Sequence, residues 1–263
     1  MKSGVTISVI IPCYNSGKTI KVCLESILTQ TETVNEVIVV DDGSTDESVN
    51  IIRDFFKNAS KQIKFILAEQ KNQGPSAARN NGVLLASSSH IAFLDSDDEW
   101  FFDHIRISKQ FLDNNREYKI TATKYLAIPN NFSGEVSFKK LLIRNYLSTP
   151  CVVLDRDCFW DNGGFNEKMK YSEDYYLWLS IVFKNRFYKL DYIGAKNIDY
   201  KRPFGDKGLS SNLLQMHYGV IKCYDNLYFN KMIDFKTYFK IKAIEKLKHL
   251  RRLILTYLHK YKI

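Results

Sequence analysis

His90-Ile91-Ala92-Phe93-Leu94-Asp95-Ser96-Asp97-Asp98-Glu99-Trp100, HIAFLDSDDEW in one-letter form, is an apolar run that empties directly into a knot of carboxylates. HIAFL has the length and flanks of a strand buried on both faces. Acids packed at the exit of such a strand repel one another and lose hydration unless a cation sits among them. The same layout recurs upstream. TISVIIP (6–12) leads into CYNSG, and EVIVV (36–40) leads into DDGSTD. Between them, KTIKVCLESILTQ places Ile20, Cys23, Leu24, Ile27 and Leu28 on one helical face. Ser44 or Thr45 can cap a helix over DESVNIIRDFFKN. IKFILAE is a third strand, and GPSAARNNGVLLAS holds a helix opening near Pro75. This strand–helix alternation predicts an α/β fold, with a mostly parallel, Rossmann-like sheet flanked by helices. Such sheets bind ligands at the carboxyl ends of their strands. CYN, DDGSTD and DSDD all fall at those ends.

Beyond about residue 116 the pattern changes. Candidate strands at KITATKYLAI (119–128) and TPCVVLD (149–155) precede a tight turn, NGGF, and a helix over YSEDYYLWLSIVF. DYIGAKNIDYKR reads as a strand and PFGDKGLSSN as a glycine-bearing loop. We divide the chain into 1–115, 116–205 and a C-terminal 206–263, the first two being halves of one domain. A length of 263 residues suits one α/β domain with an extension, and 45% hydrophobic with 25% charged residues is ordinary for a soluble protein. MKSGVTISVIIPCYN reads as a short strand closed by Pro12 rather than as a signal peptide, and no run of about 18 apolar residues predicts a membrane span. Five cysteines, odd in number and never spaced C-x-x-C, read as buried reduced thiols of a cytoplasmic protein.

The formal net charge of +9 is unevenly placed. Residues 231–263 carry ten Lys/Arg against Asp234 and Glu245, whereas residues 1–230 carry 28 basic against 27 acidic residues. A body so nearly neutral argues against nucleic acid as a partner. In the tail, Phe239, Ala243, Leu247, Leu250, Ile254 and Leu258 form an apolar stripe at helical spacing, flanked by cations. That is the pattern of an interfacial helix on an anionic membrane surface. A helix docked on the body, or on the second subunit of a homodimer, has the same pattern.

Asp95 and Asp97 flank one residue, so on a locally extended chain their side chains point the same way. Two such oxygen donors, completed by water and phosphate oxygens, suit Mg²⁺ or Mn²⁺. Taken alone, the pair is more often a solvated turn or a helix cap. Together with SVIIPCYNSGKTIKVCLESILTQT, EVIVVDDGSTDES, NQGPSAARNNG and GGFNEKMKYSEDYYLWL, in this order and spacing, it resembles family-2 glycosyltransferases. The similarity covers roughly residues 5–205 and implies the GT-A fold, a nucleotide-sugar donor and a divalent metal.

The resemblance implies roles residue by residue. Tyr14, between Pro12 and Asn15 in the nucleotide-binding PCYN, would stack on the base. Asp42 would accept from uracil N3, with Asp41 beside it. Arg79 matches a basic residue beneath the base and the Asp carboxylates, and a structural ion pair with Asp42 is an equal reading. Asp97 would bind the metal directly. Asp95, next to Ser96, would hold ribose or a metal-bound water, and Asp98 would face the sugar or the groups around the metal. Glu99 and Trp100 would begin a helix. Asp174 would be the general base, with Glu173 and Trp178 on the acceptor side. A helix-start cap is the plainer reading of the SED that holds Asp174. Lys201 and Arg202 would neutralise the departing diphosphate from a mobile loop. Many members carry a histidine in that loop, but none lies between Asn197 and Met216.

The implied activity is an inverting transfer of a hexose or N-acetylhexosamine from a UDP-sugar to a hydroxyl of a cell-surface glycan or lipid-linked acceptor. The protein would be peripheral on the cytoplasmic face of the membrane. A sugar nucleotidyltransferase would share the sheet and the Asp-bound metal but needs a Gly-rich, basic loop after the first strand, which CYNSGKT matches poorly. A degenerate membrane- or glycan-binding scaffold would have no need of Asp95, Asp97 and Asp174 together.

Overall fold

The computed structural model describes residues 4–59, 62–128, 132–199 and 212–260. The apolar runs of the first half become strands β1 (Ile7–Cys13), β2 (Glu36–Asp41), β3 (Lys64–Glu69) and β4 (His90–Phe93), joined through helices α1 (Ile20–Leu28), α2 (Ser48–Asn58) and α3 (Pro75–Leu85). β1 pairs in parallel with both β2 and β4, and β2 with β3. Because strand side chains alternate, Val9 and Ile11 enter one apolar layer while Ile10 enters the other. Both faces of the sheet are therefore covered, as β-branched runs without polar alternation require.

The second half extends the same sheet with mixed pairing. It comprises β5 (Asp98–Trp100), α4 (His104–Asn114), β6 (Tyr118–Tyr125), β7 (Gly134–Glu135), α5 (Phe138–Ile143), β8 (Val152–Asp155), α6 (Arg156–Asp161), α7 (Glu173–Lys184) and β9 (Arg186–Asn197). The spatial order is β3-β2-β1-β4-β8-β6-β9-β5, with β7 on β9. The parallel arrangement read from the sequence holds across β3, β2, β1 and β4. The β4–β8 and β8–β6 pairs are antiparallel, and β6–β9 is parallel again. A final pair of helices, α8 (Leu213–Phe229) and α9 (Phe235–Lys260), packs beyond α7. All five cysteines are buried free thiols. Among the described residues, no helix is long and apolar enough to cross a membrane.

Glu99 and Trp100 do not begin a helix. They lie in β5, antiparallel to β9, with Glu99 opposite Lys196 and Trp100 opposite Ala195. Tertiary contacts override the local pattern there: the Trp100 indole N–H donates to Pro150 O at 2.6 Å and its backbone N–H to Ser26 Oγ at 3.1 Å. The next helix waits until His104.

Of the helices, α3 bears most directly on ligand binding, because its first turns bring Pro75 and Arg79 to the carboxyl edge of the sheet. It lies low on the sheet: a Cβ built on Gly82 would sit 2.5 Å from Ile10 Cγ2, an atom of β1. Gly82→Ala should therefore act as an overpacking change, lowering stability by about 1–3 kcal/mol. A urea midpoint unchanged from wild type would show that the helix has room to lift.

Candidate active site

Three strand exits meet at the carboxyl edge of β1, β2 and β4, and their loops are stitched together. Asn15, with φ 48°, sends its backbone N–H to Ser44 Oγ at 2.9 Å, while its side-chain oxygen accepts from Thr45 N at 2.8 Å. Ser16 donates its N–H to Ser48 Oγ, and the Ser16 and Ser96 hydroxyls lie 2.7 Å apart. Ser44 thus braces the β1 exit instead of capping α2. The N–H of Ser48 goes to Asp46 Oδ1, and Asp46 Oδ2 accepts from Gly17 N.

These loops frame a cleft of about 890 Å³ whose lining includes Pro12, Tyr14, Asn15, Asp42, Arg79, Asp95, Ser96 and Asp97. Tyr14 is 52% exposed there, available for stacking. Asp42 accepts from Gln70 Nε2, Gln73 N and Gly74 N, each at 2.8 Å. It thereby fixes the turn that starts α3. Asp41 is buried behind it: its Oδ2 accepts from Gly43 N and Ser44 N, and its Oδ1 has no partner among the described residues.

Arg79 does not pair with Asp42. Its buried guanidinium lies between Asp95, with Nη2 to Oδ1 at 2.6 Å, and Glu173, with Nη1 to Oε1 at 3.6 Å, and it covers the Phe165 ring. One cation thus joins the turn after β4 to the start of α7. Glu173 and Asp174 occupy the first turn of that helix, where the dipole favours anions. Asp174 Oδ1 accepts from Tyr175 N at 2.7 Å, and its Oδ2 lies 3.5 Å from the Thr149 hydroxyl. Burial, and then the Asp174 charge, lifts the Glu173 carboxyl to about 7, and burial lifts Asp174 as well.

Three expectations need correction. Residues 95–98 form a turn closed by Asp98 N to Asp95 O at 2.9 Å, not an extended segment, yet Asp95 and Asp97 both reach the cleft. Asp98 faces inward, where its carboxylate accepts from Tyr125 Oη at 2.7 Å and Asn197 Nδ2 at 3.1 Å. Burial, then the neighbouring Asp95, pushes its carboxyl well above the usual range. Trp178 is fully buried against Phe93 and Phe165 and meets no acceptor. Lys201 and Arg202 lie outside the described residues. Sequence reasoning missed Lys18 and Lys170, two exposed cations that line the cleft and carry no pattern that would mark them.

The donor set of Asp95 and Asp97 is all oxygen, which suits a hard divalent cation better than a soft one. Among the described residues no group of three or more His, Cys, Asp or Glu side chains is placed to hold a metal. A cation here would need ligand oxygens and water to complete its shell.

The glycosyl transferase family 2 model matches residues 8–133. An Escherichia coli protein named UDP-Glc:alpha-D-GlcNAc-diphosphoundecaprenol beta-1,3-glucosyltransferase WfgD is 32% identical over 214 residues, covering 78% of this chain and 80% of that protein. A glycosyltransferase of Rickettsia bellii (strain RML369-C), named as uncharacterized, is 33% identical over 256 residues, 92% of this chain but 36% of its own length. The chain spans about a third of that relative and of two further Rickettsia relatives. Among solved structures, S. aureus TarS 1-349 in complex with UDP-GlcNAc has a TM-score of 0.74 at 22% identity, covering 94% of this chain and 73% of that one. That likeness is one of fold, the GT-A arrangement.

Removing the Arg79 charge should leave buried carboxylates uncompensated, so Arg79→Met is expected to lower stability by about 3–5 kcal/mol near neutral pH. Glu173 and Asp174 are acids whose folded values lie above their unfolded ones. The stability they lend is therefore present at low pH and lost as pH rises through the folded values. Without Arg79 those values climb further, so the deficit against wild type should be largest near about pH 8 and shrink by about pH 5. A deficit independent of pH in urea titrations would mean that Arg79 acts by packing alone.

Proposed function

The chain belongs to glycosyltransferase family 2, and from that premise we propose an inverting, metal-dependent transfer of a hexose or N-acetylhexosamine from a UDP-sugar to a hydroxyl of a lipid-linked or polysaccharide acceptor. The observation that carries this reading is the Arg79 bridge, which ties a donor-side carboxylate, Asp95, to an acceptor-side one, Glu173. The donor is carried over from the Escherichia coli relative, whose name gives UDP-Glc and a diphosphoundecaprenol-linked acceptor, and from the UDP-GlcNAc bound to TarS.

In this reading the base stacks on Tyr14. Among the described residues Asp42 Oδ2 has one donor, Gly74 N, and retains lone-pair capacity for uracil N3–H. The N-terminus of α3, with Gly74 and Pro75 on the cleft, favours the negative charge of the ligand. A bound Mg²⁺ or Mn²⁺, held by Asp97 with Asp95 beside it, would neutralise charge developing on the leaving diphosphate. Lys18 and Lys170 add positive charge from the cleft walls, and we assign Lys201 and Arg202 the same duty.

Asp174 takes the proton of the attacking hydroxyl. Its raised affinity for a proton suits a base working nearer neutrality than an ordinary aspartate. The helix start and Thr149 orient it, and Glu173, held by Arg79, positions the acceptor. Direct displacement by one base inverts the anomeric centre, so an α-linked donor yields a β-linked product. A nucleotide-sugar donor and a lipid-borne acceptor place the work at the cytoplasmic face of a membrane.

Asp174→Asn should lower transfer by roughly 10²-fold or more while UDP affinity stays within about twofold, as for loss of a general base. Loss of UDP affinity in parallel would make Asp174 a donor ligand or a structural residue. UDP should raise the thermal midpoint only with Mn²⁺ or Mg²⁺ present, since Asp97 otherwise repels the diphosphate. Equal stabilisation in excess EDTA overturns the metal assignment.

A further inference from the structure

We propose that the outward face of α9 is a docking surface for an anionic lipid bilayer. The inner face of the helix is already committed. Ile241 and Glu245 are buried, Glu245 meets Arg252 and lies 3.3 Å from His217 Nδ1, and the His217 and His249 rings stack at 4.4 Å. Tyr238 stacks on Tyr228 at 4.8 Å, Lys242 pairs with Asp225 at 3.0 Å, and Lys248 donates to Ile143 O. These contacts pin α9 to α8 and α5.

The apolar stripe from Phe239 to Ile254 lies on the opposite side, in solvent, and the Leu258 side chain falls outside the described residues. Phe239 is 55% exposed, Leu247 69%, Leu250 55% and Ile254 50%, with Ala243 exposed among them. At about 100° per residue, Lys246 borders this stripe on one flank and Lys240 and Arg251 on the other, with Lys236 at its start. All four cations are exposed, and none makes an ion pair among the described residues. The helix's single acid, Glu245, points inward. An apolar strip bordered by cations on both sides complements headgroup charge and acyl depth together. It does not complement itself: two copies paired through this face would set lysine and arginine against lysine and arginine.

The helix connects to the acceptor side through α8. His249 of α9 stacks on His217 of α8, and two residues on, a Cβ built on Gly219 would lie 2.7 Å from Tyr171 O, beside Ser172 and Glu173. Docking of α9 would set the start of α7 behind α8, two helix layers from the bilayer, on the side from which a lipid-borne acceptor would arrive. This last step rests on the proposed function, whereas the docking itself does not.

The test is sedimentation of the full chain with vesicles of phosphatidylglycerol and phosphatidylcholine against vesicles of phosphatidylcholine alone. Wild type should bind the anionic vesicles at low salt, and about 0.5 M salt should weaken binding by tenfold or more. The double variant Leu247→Glu/Leu250→Glu and the pair Lys240→Gln/Arg251→Gln should each weaken it about tenfold or more. Both are expected to keep the wild-type thermal midpoint and UDP response, because these side chains are exposed. Failure of wild type to bind phosphatidylglycerol vesicles, or undiminished binding by both variants, overturns the proposal. So does a dimer in light scattering without lipid that Leu247→Glu/Leu250→Glu renders monomeric, since the face would then join two copies. A missing UDP response in wild type would count against the donor assignment and leave the vesicle result standing.

Discussion

The guanidinium of Arg79 sits where two segments far apart in the chain each bring a carboxylate, and it supplies the charge that lets both lie there. Asp95 arrives on the turn after β4 and Glu173 on the first turn of α7, both partly shielded from water. Uncompensated, such acids would take up protons or push the segments apart. Paired with one cation, they become a single electrostatic unit that runs from the cleft, which Arg79 and Asp95 line, to the start of α7. The requirement also explains why α3 lies so close to the sheet. Gly82 lets the helix descend onto Ile10, and that descent carries Arg79 down among the carboxylates.

Much of this was legible in the chain because strand exits advertise themselves. An unbroken β-branched run followed by polar residues leaves few choices, and Tyr14, Asp42, Asp95 and Asp97 all line the cleft as such placement predicts. Other residues were not legible, for reasons that differ. Asp98 has the same local chemistry as Asp97, and its partners Tyr125 and Asn197 lie 27 and 99 positions away. Trp178 sits in a run from Leu177 to Val182 that is buried throughout, so helical periodicity offers no sign of which face meets a ligand. β5 is three residues long and exists because β9 presents an edge to it. Lys18 and Lys170 are ordinary exposed lysines in sequence and become site residues only through the fold.

The tail shows how two readings of one pattern divide between the faces of a helix. A docked helix and an interfacial helix predict the same composition, and α9 answers to the first description on its inner side. Its outer side retains the features of the second. The stripe read from helical spacing is the exposed one, while Ile241, outside that stripe, makes the packing contact.

A helix with apolar residues on both sides has two ways to lie against a protein, and hydrophobic burial alone distinguishes them weakly. Glu245 supplies the distinction. Turned half a revolution, α9 would offer Leu247 and Leu250 to α8 and carry the glutamate into solvent, leaving His217 without its acceptor. A carboxylate buried in that interface is a poor source of stability, but it is an orientation key that accepts one rotational setting. The polar residue thus encodes direction, and the greasy residues around it are released from that task to vary with whatever surface the protein must meet.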